Sequence, residues 1–452
     1  MIPIVTPEQM RAIDANATDD VDVLVERAGA AVARTAIQML GGTYGRRVTV
    51  IAGPGNNGAD GLVAARRLAR KGVQVQIIDA REAPRVLPVC DLVIDAAYGT
   101  GFHGDWFAPD AASAQVLAVD VPSGLDALTG RAGDGVLPAD RTVTFAALKP
   151  GLLFPPGSQL AGVVEVADIG LDTSDADTWL VQGSDVRDWL PSRAADAHKW
   201  RSAVWVIAGS GGMRGAANLA TRAAQRSGAG MVRLSSPGFG SDAGTPTEAV
   251  GVSLPAVSWA AEALAESERF HALVVGPGLG RADGTAENVR ELVEKLAVPV
   301  VIDGDGLFAL AWSANGAAAI LRNRQAPTVL TPHDGEFALL RGQRVGADRI
   351  GAARRLADEC GCVVLLKGAA TVVAEPGGPA YVVTAGDARL ATAGTGDVLA
   401  GICGALLAQQ VRPAEAAAAA AWLHGEAARR GPAIGLVAGD IPDLLPLVLS
   451  EL

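Results

Sequence analysis

A chain of 452 residues, 49% hydrophobic and 19% charged, is too long for one ordinary core and fits two or three domains. Its 38 basic against 49 acidic residues, a net charge of −11, offer no surface for a nucleic-acid backbone. Aromatic content of only 4% beside 55 glycines favours α/β layers with tight loops over a β-sandwich. The opening MIPIVTPEQMRAID has no basic region ahead of an apolar core, and no later apolar run approaches spanning length. We therefore expect no membrane partner and a cytoplasmic location. Cys90, Cys360, Cys362 and Cys403 lack metal-ligand spacing and are expected to be ordinary core thiols.

Residues 1–172 read as alternating strands and helices, with strands expected at 47–52, 73–79, 91–96, 116–120, 142–146 and 163–168. Near-continuous apolar runs separated by helical stretches predict a parallel sheet covered on both faces. Ligands of such sheets bind beyond the carboxyl ends of the strands. Three of those ends are polar and turn-forming: GPGNNGADG after the first strand, AYGTGFHG after the third and DVPSGLD after the fourth. Gly53, Gly55 and Gly58 spell G-x-G-x-x-G, and Asp79 ends the next strand about where the ribose-binding acid of a dehydrogenase would lie. Against that reading, Asn56, Asn57 and Asp60 put acceptor oxygens where a dinucleotide loop uses backbone alone. These side chains suit a cation or a polar substrate, and Asp95 and Ser123 would complete an all-oxygen shell for a hard monovalent ion. The plainer alternative is that the asparagines only supply left-handed turn geometry.

Residues 173–197 are acidic and turn-rich and read as a connector. Residues 198–452 read as a second α/β domain, with strands expected at 203–209, 231–236, 272–276, 298–303, 328–331 and 363–368. Its loops carry GSGGMRGA (209–216), GPGLG (276–280), DGDGL (303–307), TPHDGEF (331–337), KGAAT (367–371) and AGTGDVLAG (393–401). In the last of these, Gly394 and Gly396 let backbone N–H groups turn onto one point, and a helix beginning near Asp397 adds its positive dipole end. Phosphate oxygens are the natural guest. The apolar segment 398–408 suits a buried helix behind this cradle, which leaves Asp397 able to accept a proton from a substrate hydroxyl. A helix cap whose glycines merely turn the chain is the plainer alternative. Lys367 ends an apolar strand and is more natural facing phosphate than facing a core. His333 reads either as a ligand or as a loop residue with a satisfied hydrogen bond.

GPGNNGADGLVAAR, IDAAYGTGF, AVDVPSGLDA and TFAALKPGLL, in that order, resemble the N-terminal epimerase domain of the NAD(P)H-hydrate repair enzymes. The loops of the second half, also in order, resemble the dehydratase domain of the same enzymes, which is similar in fold to the ribokinase-like kinases. The resemblance implies a bifunctional enzyme: a Rossmann-like domain (1–172) that interconverts the R and S forms of NAD(P)H hydrated at C6, and a ribokinase-like domain (198–452) that dehydrates the S form with ADP or ATP through a phosphorylated intermediate. Both folds are α/β. It further implies that Asn56, Asn57, Gly58, Ala59 and Asp60, together with Gly99, Thr100, Gly101, Phe102, His103, Gly104 and Asp105, contact the hydrated dinucleotide. Asp120 would lie at the reacting centre, with Asn57, Asp95 and Ser123 around a potassium ion. In the second domain Ala216, a glycine of the GPGLG loop (Gly278 or Gly280), His333 and the base Asp397 would meet the substrate. Lys367, Gly368, Ala369, Ala370, Thr371 and Gly396, with Gly394 in the same turn, would hold the adenine nucleotide. Magnesium is expected on its phosphates, with Glu336 as one candidate ligand. A homo-oligomer is expected because the family forms symmetric oligomers.

Epimerising C6 means breaking and remaking a bond at that carbon, through a ring-opened or a dehydrated intermediate, and either route transfers protons. Asp120 is the candidate acid/base. Lys149 is a second candidate, or simply a surface or anion-steadying lysine. Ala59 stands where the family usually has glycine, and its methyl group would crowd the loop if that position needs positive φ. Other readings stay open: a small-molecule kinase that ends at a stable phosphorylated product, a dehydrogenase built on the loop at Gly53, or a first domain that only binds.

Overall fold

Strands form where the apolar runs lie, and they assemble into two separate sheets. The structure is a computed structural model that describes every residue except 103, 105, 194 and 243, so His103 and Asp105 lie outside the described residues. The chain divides into two units, Ile2–Thr178 and Trp179–Leu452.

The first unit begins with helices α1 (Pro7–Ala15) and α2 (Val21–Leu40), then β1 (Arg47–Ala52), α3 (Asn56–Arg70) and β2 (Gln74–Asp79). Four strands follow: β3 (Leu92–Ala96), β4 (Gln115–Val119), β5 (Arg141–Phe145) and β6 (Val163–Ala167). They pair in parallel in the order β2-β1-β3-β4-β5-β6. The strand order therefore reverses at β1, and the chains leaving β1 and β3 diverge to open a crevice. The turn there has no room for side chains: a Cβ on Gly53 would lie 1.8 Å from the Ala97 carbonyl oxygen, and one on Gly58 1.9 Å from that of Gly53. Because α3 starts at Asn56, Asn56 to Asp60 form its first turns rather than the loop expected from their sequence. Ala59 is helical and not among the positive-φ residues, so its methyl group brings no backbone strain. Val32, Val50, Leu68, Leu92, Ile94 and Leu117 are fully buried between the helices and the sheet, each contributing roughly 1.5–3 kcal/mol.

In the second unit β7 (Ala203–Ile207), α4 (Arg214–Arg226), β8 (Met231–Ser235), β9 (Val250–Gly251), β10 (Ala272–Val275) and β11 (Val300–Ile302) lead to the short helix α5 (Asp305–Ala311). Then come β12 (Thr328–Leu330), α6 (Asp334–Arg341), β13 (Val363–Leu366), β14 (Thr371–Ala374) and β15 (Ala380–Val383), followed by α7 (Thr395–Ala408) and α8 (Pro413–Arg430). These nine strands lie side by side in the order β15-β14-β13-β12-β11-β10-β7-β8-β9. Pairing is parallel from β9 to β13, and β14 and β15 add antiparallel neighbours that the sequence did not suggest. Here the order reverses at β7, so the loops after β7 and β10 bound the crevice. As the apolar run predicted, α7 is buried from Val398 through Ala408. It packs at backbone distance, since a Cβ on Gly401 would lie 2.1 Å from the Ala220 carbonyl oxygen of α4 and one on Gly404 2.3 Å from a Val274 methyl of β10. Cys360, Cys362 and Cys403 are buried free thiols and Cys90 is half-buried, as expected. Among the described residues no helix is long and apolar enough to cross a membrane.

The close approach at Gly401 has a measurable consequence. Because the facing atom is backbone, Gly401→Ala must separate α4 from α7, an overpacking worth about 1–3 kcal/mol. Gly284→Ala, in a helix turn with nothing within 4 Å of the added methyl, should hold or raise stability through helix propensity. Differential scanning fluorimetry should show a lower melting temperature for the first variant alone; an unchanged one would disprove the contact.

Candidate active sites

The first site is a cavity of about 880 Å³ at the carboxyl end of the first sheet. Its walls come from α1 and α2, the turn into α3, the segment after β3 and the ends of β4 and β5. Met10, Leu24, Val25 and Ile169 make one wall apolar, while Asn56, Asn57, Asp60, Thr100, Asp120 and Lys149 make the other polar. Asp120 leaves β4 with φ +67°, a left-handed conformation rare for a non-glycine residue. Lys149 is not a surface lysine but almost wholly buried. Its ammonium sits 2.6 Å from Asp120 Oδ1 and donates to Thr144 Oγ1 at 2.8 Å and the Phe145 carbonyl at 3.1 Å. The Thr144 hydroxyl in turn donates to Asp120 Oδ1 at 3.1 Å, while the Thr100 amide, at 3.1 Å, and hydroxyl donate to Oδ2. Burial works to raise the Asp120 carboxyl, but the Lys149 charge and these hydrogen bonds outweigh it and hold the group below its usual range. Removing either member of such a buried pair is worth about 3–5 kcal/mol.

Asp95, one residue before the end of β3, is buried and accepts from Ser123 Oγ at 2.6 Å, from Ser123 N at 2.9 Å and from Ala97 N at 3.3 Å. Burial raises its carboxyl and these neutral donors only partly offset it. Asn57 holds a side-chain oxygen and nitrogen in buried space where neither has a partner among the described residues. Gly99 lies between Asn57 and Asp120, because a Cβ there would touch both Asn57 and Asp120 Oδ2 at 3.2 Å. Asp60 is also buried, and its carboxyl is pushed up to about 8, by burial first and then by the charge of Asp120. Tyr98 and Phe102, also in the lining, pack with tilted rings 4.2 Å apart between centroids.

In the second unit the loops after β7 and β10 are laced together. Gly209 N–H donates to the Pro277 carbonyl and Ser210 Oγ to that of Gly278, both at 2.8 Å. A Cβ on Gly278 would lie 3.0 Å from the Ala216 methyl, so these two candidates are neighbours, whereas the Gly280 N–H is already taken by Asp305 Oδ2 at 2.8 Å. Beyond β11, β12 and β13 a charged cluster forms. Lys367 Nζ donates to Asp303 Oδ1 at 2.8 Å and lies 3.5 Å from Glu336 Oε2, and Asp303 also accepts from Thr331 Oγ1 at 2.7 Å. Burial opposes the Lys367 charge, yet Asp303 and Glu336 raise its pKa overall. Gly396 faces this pair, 3.4 Å from Lys367 Nζ and 3.9 Å from Asp303 Oδ2 at its Cβ position. Asp397 follows in the first turn of α7 under the left-handed Gly394, φ +92°. Its carboxyl is pushed up to about 7, by burial and then by Asp303, with Lys367 opposing.

His333 caps α6, its Nδ1 accepting from Gly335 N at 2.9 Å and Glu336 N at 3.3 Å. The turn from Lys367 to Thr371 joins β13 to β14; Gly368 and Ala369 are exposed, Ala370 is buried and Thr371 opens the strand. Arg349 braces that turn, donating to the Lys367 carbonyl at 2.8 Å while gripping Asp334 with both amino groups. Sequence reasoning missed Asp303, Thr144 and Arg349. Asp303 was the most legible of them, an acid ending an apolar strand at the edge where ligands bind.

Residues 204–445 match the family described as NAD(P)H-hydrate dehydratase. Residues 21–88 and 79–151 match the family described as YjeF-related protein N-terminus. The bifunctional NAD(P)H-hydrate repair enzyme of Moorella thermoacetica is 37% identical, over 99% of this chain and 97% of its own. That of Mycobacterium leprae is 39% identical, over 95% and 93%. Among solved structures, the ADP/ATP-dependent NAD(P)H-hydrate dehydratase from Bacillus subtilis, co-crystallised with ATP/Mg2+, is 30% identical and superposes with a TM-score of 0.53, covering 60% of this chain and 98% of its own. A ribokinase-like superfamily protein from Enterococcus faecalis, 22% identical with a TM-score of 0.52 over 62% of this chain and 98% of its own, shares the fold. With one family matched over more than half its length and relatives above 30% identity along nearly all of it, the chain belongs to the bifunctional NAD(P)H-hydrate repair enzymes.

Proposed function

We propose that this chain repairs NAD(P)H hydrated at C6, with the first site interconverting the R and S hydrates and the second dehydrating the S hydrate at the expense of ADP or ATP. The observation that carries the reading is the second site's pairing of a half-buried carboxyl, Asp397, with the Lys367–Asp303 ion pair across Gly396. Asp397 accepts the proton of the C6 hydroxyl as its oxygen bonds to the terminal phosphorus, and the phosphorus–oxygen bond to the nucleotide breaks. Hydroxide is a poor leaving group and phosphate a good one. The ring nitrogen's lone pair then expels phosphate from C6, and loss of a proton from C5 restores the dihydropyridine ring. Lys367 to Thr371, Gly394 and Gly396 hold the nucleotide; Ala216, Gly278 and His333 hold the hydrate. In the first site Asn56 to Asp60, the segment from Gly99 to Asp105, and Asp120 receive the same hydrate.

The implied ions fit the residues present. Magnesium supplies charge neutralisation at the nucleotide phosphates and needs only one or two carboxylates from the protein; Glu336 and Asp303 converge on Lys367 and meet that need. Asn57, Asp95 and Ser123 suit potassium, which would neutralise Asp95 and partner the orphaned Asn57 oxygen. Within this reading the enzyme is a cytoplasmic homo-oligomer whose sequence carries an epimerase stretch at 1–172, a connecting stretch at 173–197 and a dehydratase stretch at 198–452.

The recovery of NADPH absorbance from an R/S hydrate mixture with magnesium and ADP tests both sites. Wild type should convert everything, Asp397→Ala nothing, and Asp120→Ala should stop when the S form is spent. A phosphorylated hydrate that accumulates as product, with no NADPH formed, would instead make the chain a kinase. Since Asp397 acts as a base only when ionised and titrates at about 7, dehydration from pure S hydrate should fall as pH drops through that value, to about a tenth at a pH one unit below it. A flat profile from pH 5 to 8 would remove Asp397 as the base. Exchanging potassium for a bulky organic cation should slow epimerisation and leave dehydration of the S hydrate unchanged; equal loss of both, or of neither, would refute the ion site.

A further inference from the structure

The first site has more carboxyl groups than a single proton transfer needs, and they sit in unlike surroundings. Around the cavity, among the described residues, α1 contributes Asp14 and Arg11, α3 contributes Asp60, the end of β4 contributes Asp120 and the segment after β5 contributes Lys149. The part of α2 that lines it, Val21, Leu24, Val25 and Ala28, is apolar.

Asp120 is fully engaged. Both its oxygens are occupied, Oδ1 by Lys149 and Thr144 and Oδ2 by the amide and hydroxyl of Thr100. Lys149 spends its three protons on Thr144, the Phe145 carbonyl and Asp120. Protonating Asp120 would break one of these bonds and leave a buried ammonium facing a neutral acid. Neither residue can pass a proton without dismantling the network that holds it.

Asp60 is the opposite case. It lines the same cavity and is 6% exposed, and among the described residues its carboxyl receives no hydrogen bond and makes no ion pair. It lies on α3 one turn beyond Asn57, where α3 packs so tightly on α2 that a Cβ on Gly29 would lie 2.7 Å from the Asp60 carbonyl oxygen. The backbone under the carboxyl is thereby fixed, and the residue lines the cavity.

We infer that Asp60 is the proton carrier of the first site and that Asp120 is its fixed negative charge. This rests on the epimerase reading. Asp60 donates its proton to the C6 hydroxyl, the C6–O bond breaks, and water departs with the bonding pair. The ring nitrogen's lone pair closes a nitrogen–C6 double bond, and the cation so formed is balanced by Asp120. Water then adds to C6 from the other face, the nitrogen recovers its pair, and the excess proton returns through cavity water to the Asp60 carboxylate. Nothing is oxidised and nothing is consumed. The carboxyl pushed up to about 8 by burial and by Asp120 still holds its proton at neutral pH, as the first step requires.

The test uses the full chain, pure R hydrate of NADPH and no nucleotide, with R and S forms separated by chromatography. Asp60→Asn keeps the shape and removes the transferable proton, so kcat should fall by about a hundredfold to ten-thousandfold while KM changes little. Wild-type kcat/KM should decline above about pH 8, and Asp120→Asn should be slower and show that decline at lower pH, because the Asp120 charge helps Asp60 hold its proton. Asp60→Glu should recover part of the rate and shift the decline, which keeps the role of this carboxyl testable even if Asp60→Asn melts early. In water labelled with heavy oxygen, one label should enter C6 per inversion. An Asp60→Asn enzyme close to the wild-type rate, a decline that Asp60→Glu leaves unmoved, or retention of the original oxygen would each overturn the inference. A wild type that dehydrates the S hydrate but never inverts R would instead sink the epimerase reading beneath it.

Discussion

Both sites exist because two neighbouring parallel strands send their chains in opposite directions. In the first sheet β1 and β3 part company, and in the second β7 and β10 do. A gap at such a point is an obligation of topology, since no crossover can cover it. The sequence around each gap must then let backbone meet backbone, which is why Gly53 and Gly58 fill the first turn and the Gly209–Pro277 hydrogen bond closes the second. Only after that constraint is met can side chains such as Asn57, Asp120, Ala216 and Asp303 be aimed into the opening.

The two sites solve the problem of a buried carboxyl in contrary ways. Asp120 has a lysine committed to it, shielded from water and with every proton in use. Asp397 has its lysine at one remove, since Lys367 belongs first to Asp303 and Glu336. One carboxyl is consequently held ionised and the other left close to neutrality. The same residue types give a permanent charge in one unit and a carboxyl that titrates near neutrality in the other because of what else the lysine touches.

Strands and their order of use were legible because long apolar runs leave few alternatives, and the turn and buried helix at 393–408 were legible because the glycines stand directly before an apolar run. What escaped was decided by contacts far apart in sequence. KGAAT reads as a loop, yet β14 pairs with β13 and β15 and so becomes strand from Thr371. GPGNNGADG reads as a loop throughout, yet α3 begins inside it, because Gly55 supplies the extended cap and Gly58 the close approach. Lys149 looked at home on a surface. Its burial depends on Thr144 and Asp120, and no local pattern announces that partnership. His333, which the sequence left open between a ligand and a loop residue with a satisfied hydrogen bond, has that hydrogen bond as the cap of α6 and leaves its other nitrogen exposed.

That cap settles which tautomer the free protein carries. Nδ1 accepts two backbone N–H groups, so it must hold a lone pair, and in the neutral ring the proton is then on Nε2. The outward edge of His333 is therefore a donor, in line with its carboxylate neighbour Glu336 Oε1 at 3.6 Å. Whatever the second site presents to this edge must offer an acceptor, such as a hydroxyl, carbonyl or phosphate oxygen. An amide N–H brought there would face a proton instead of a lone pair, and the imidazole could not turn to suit it without uncapping α6.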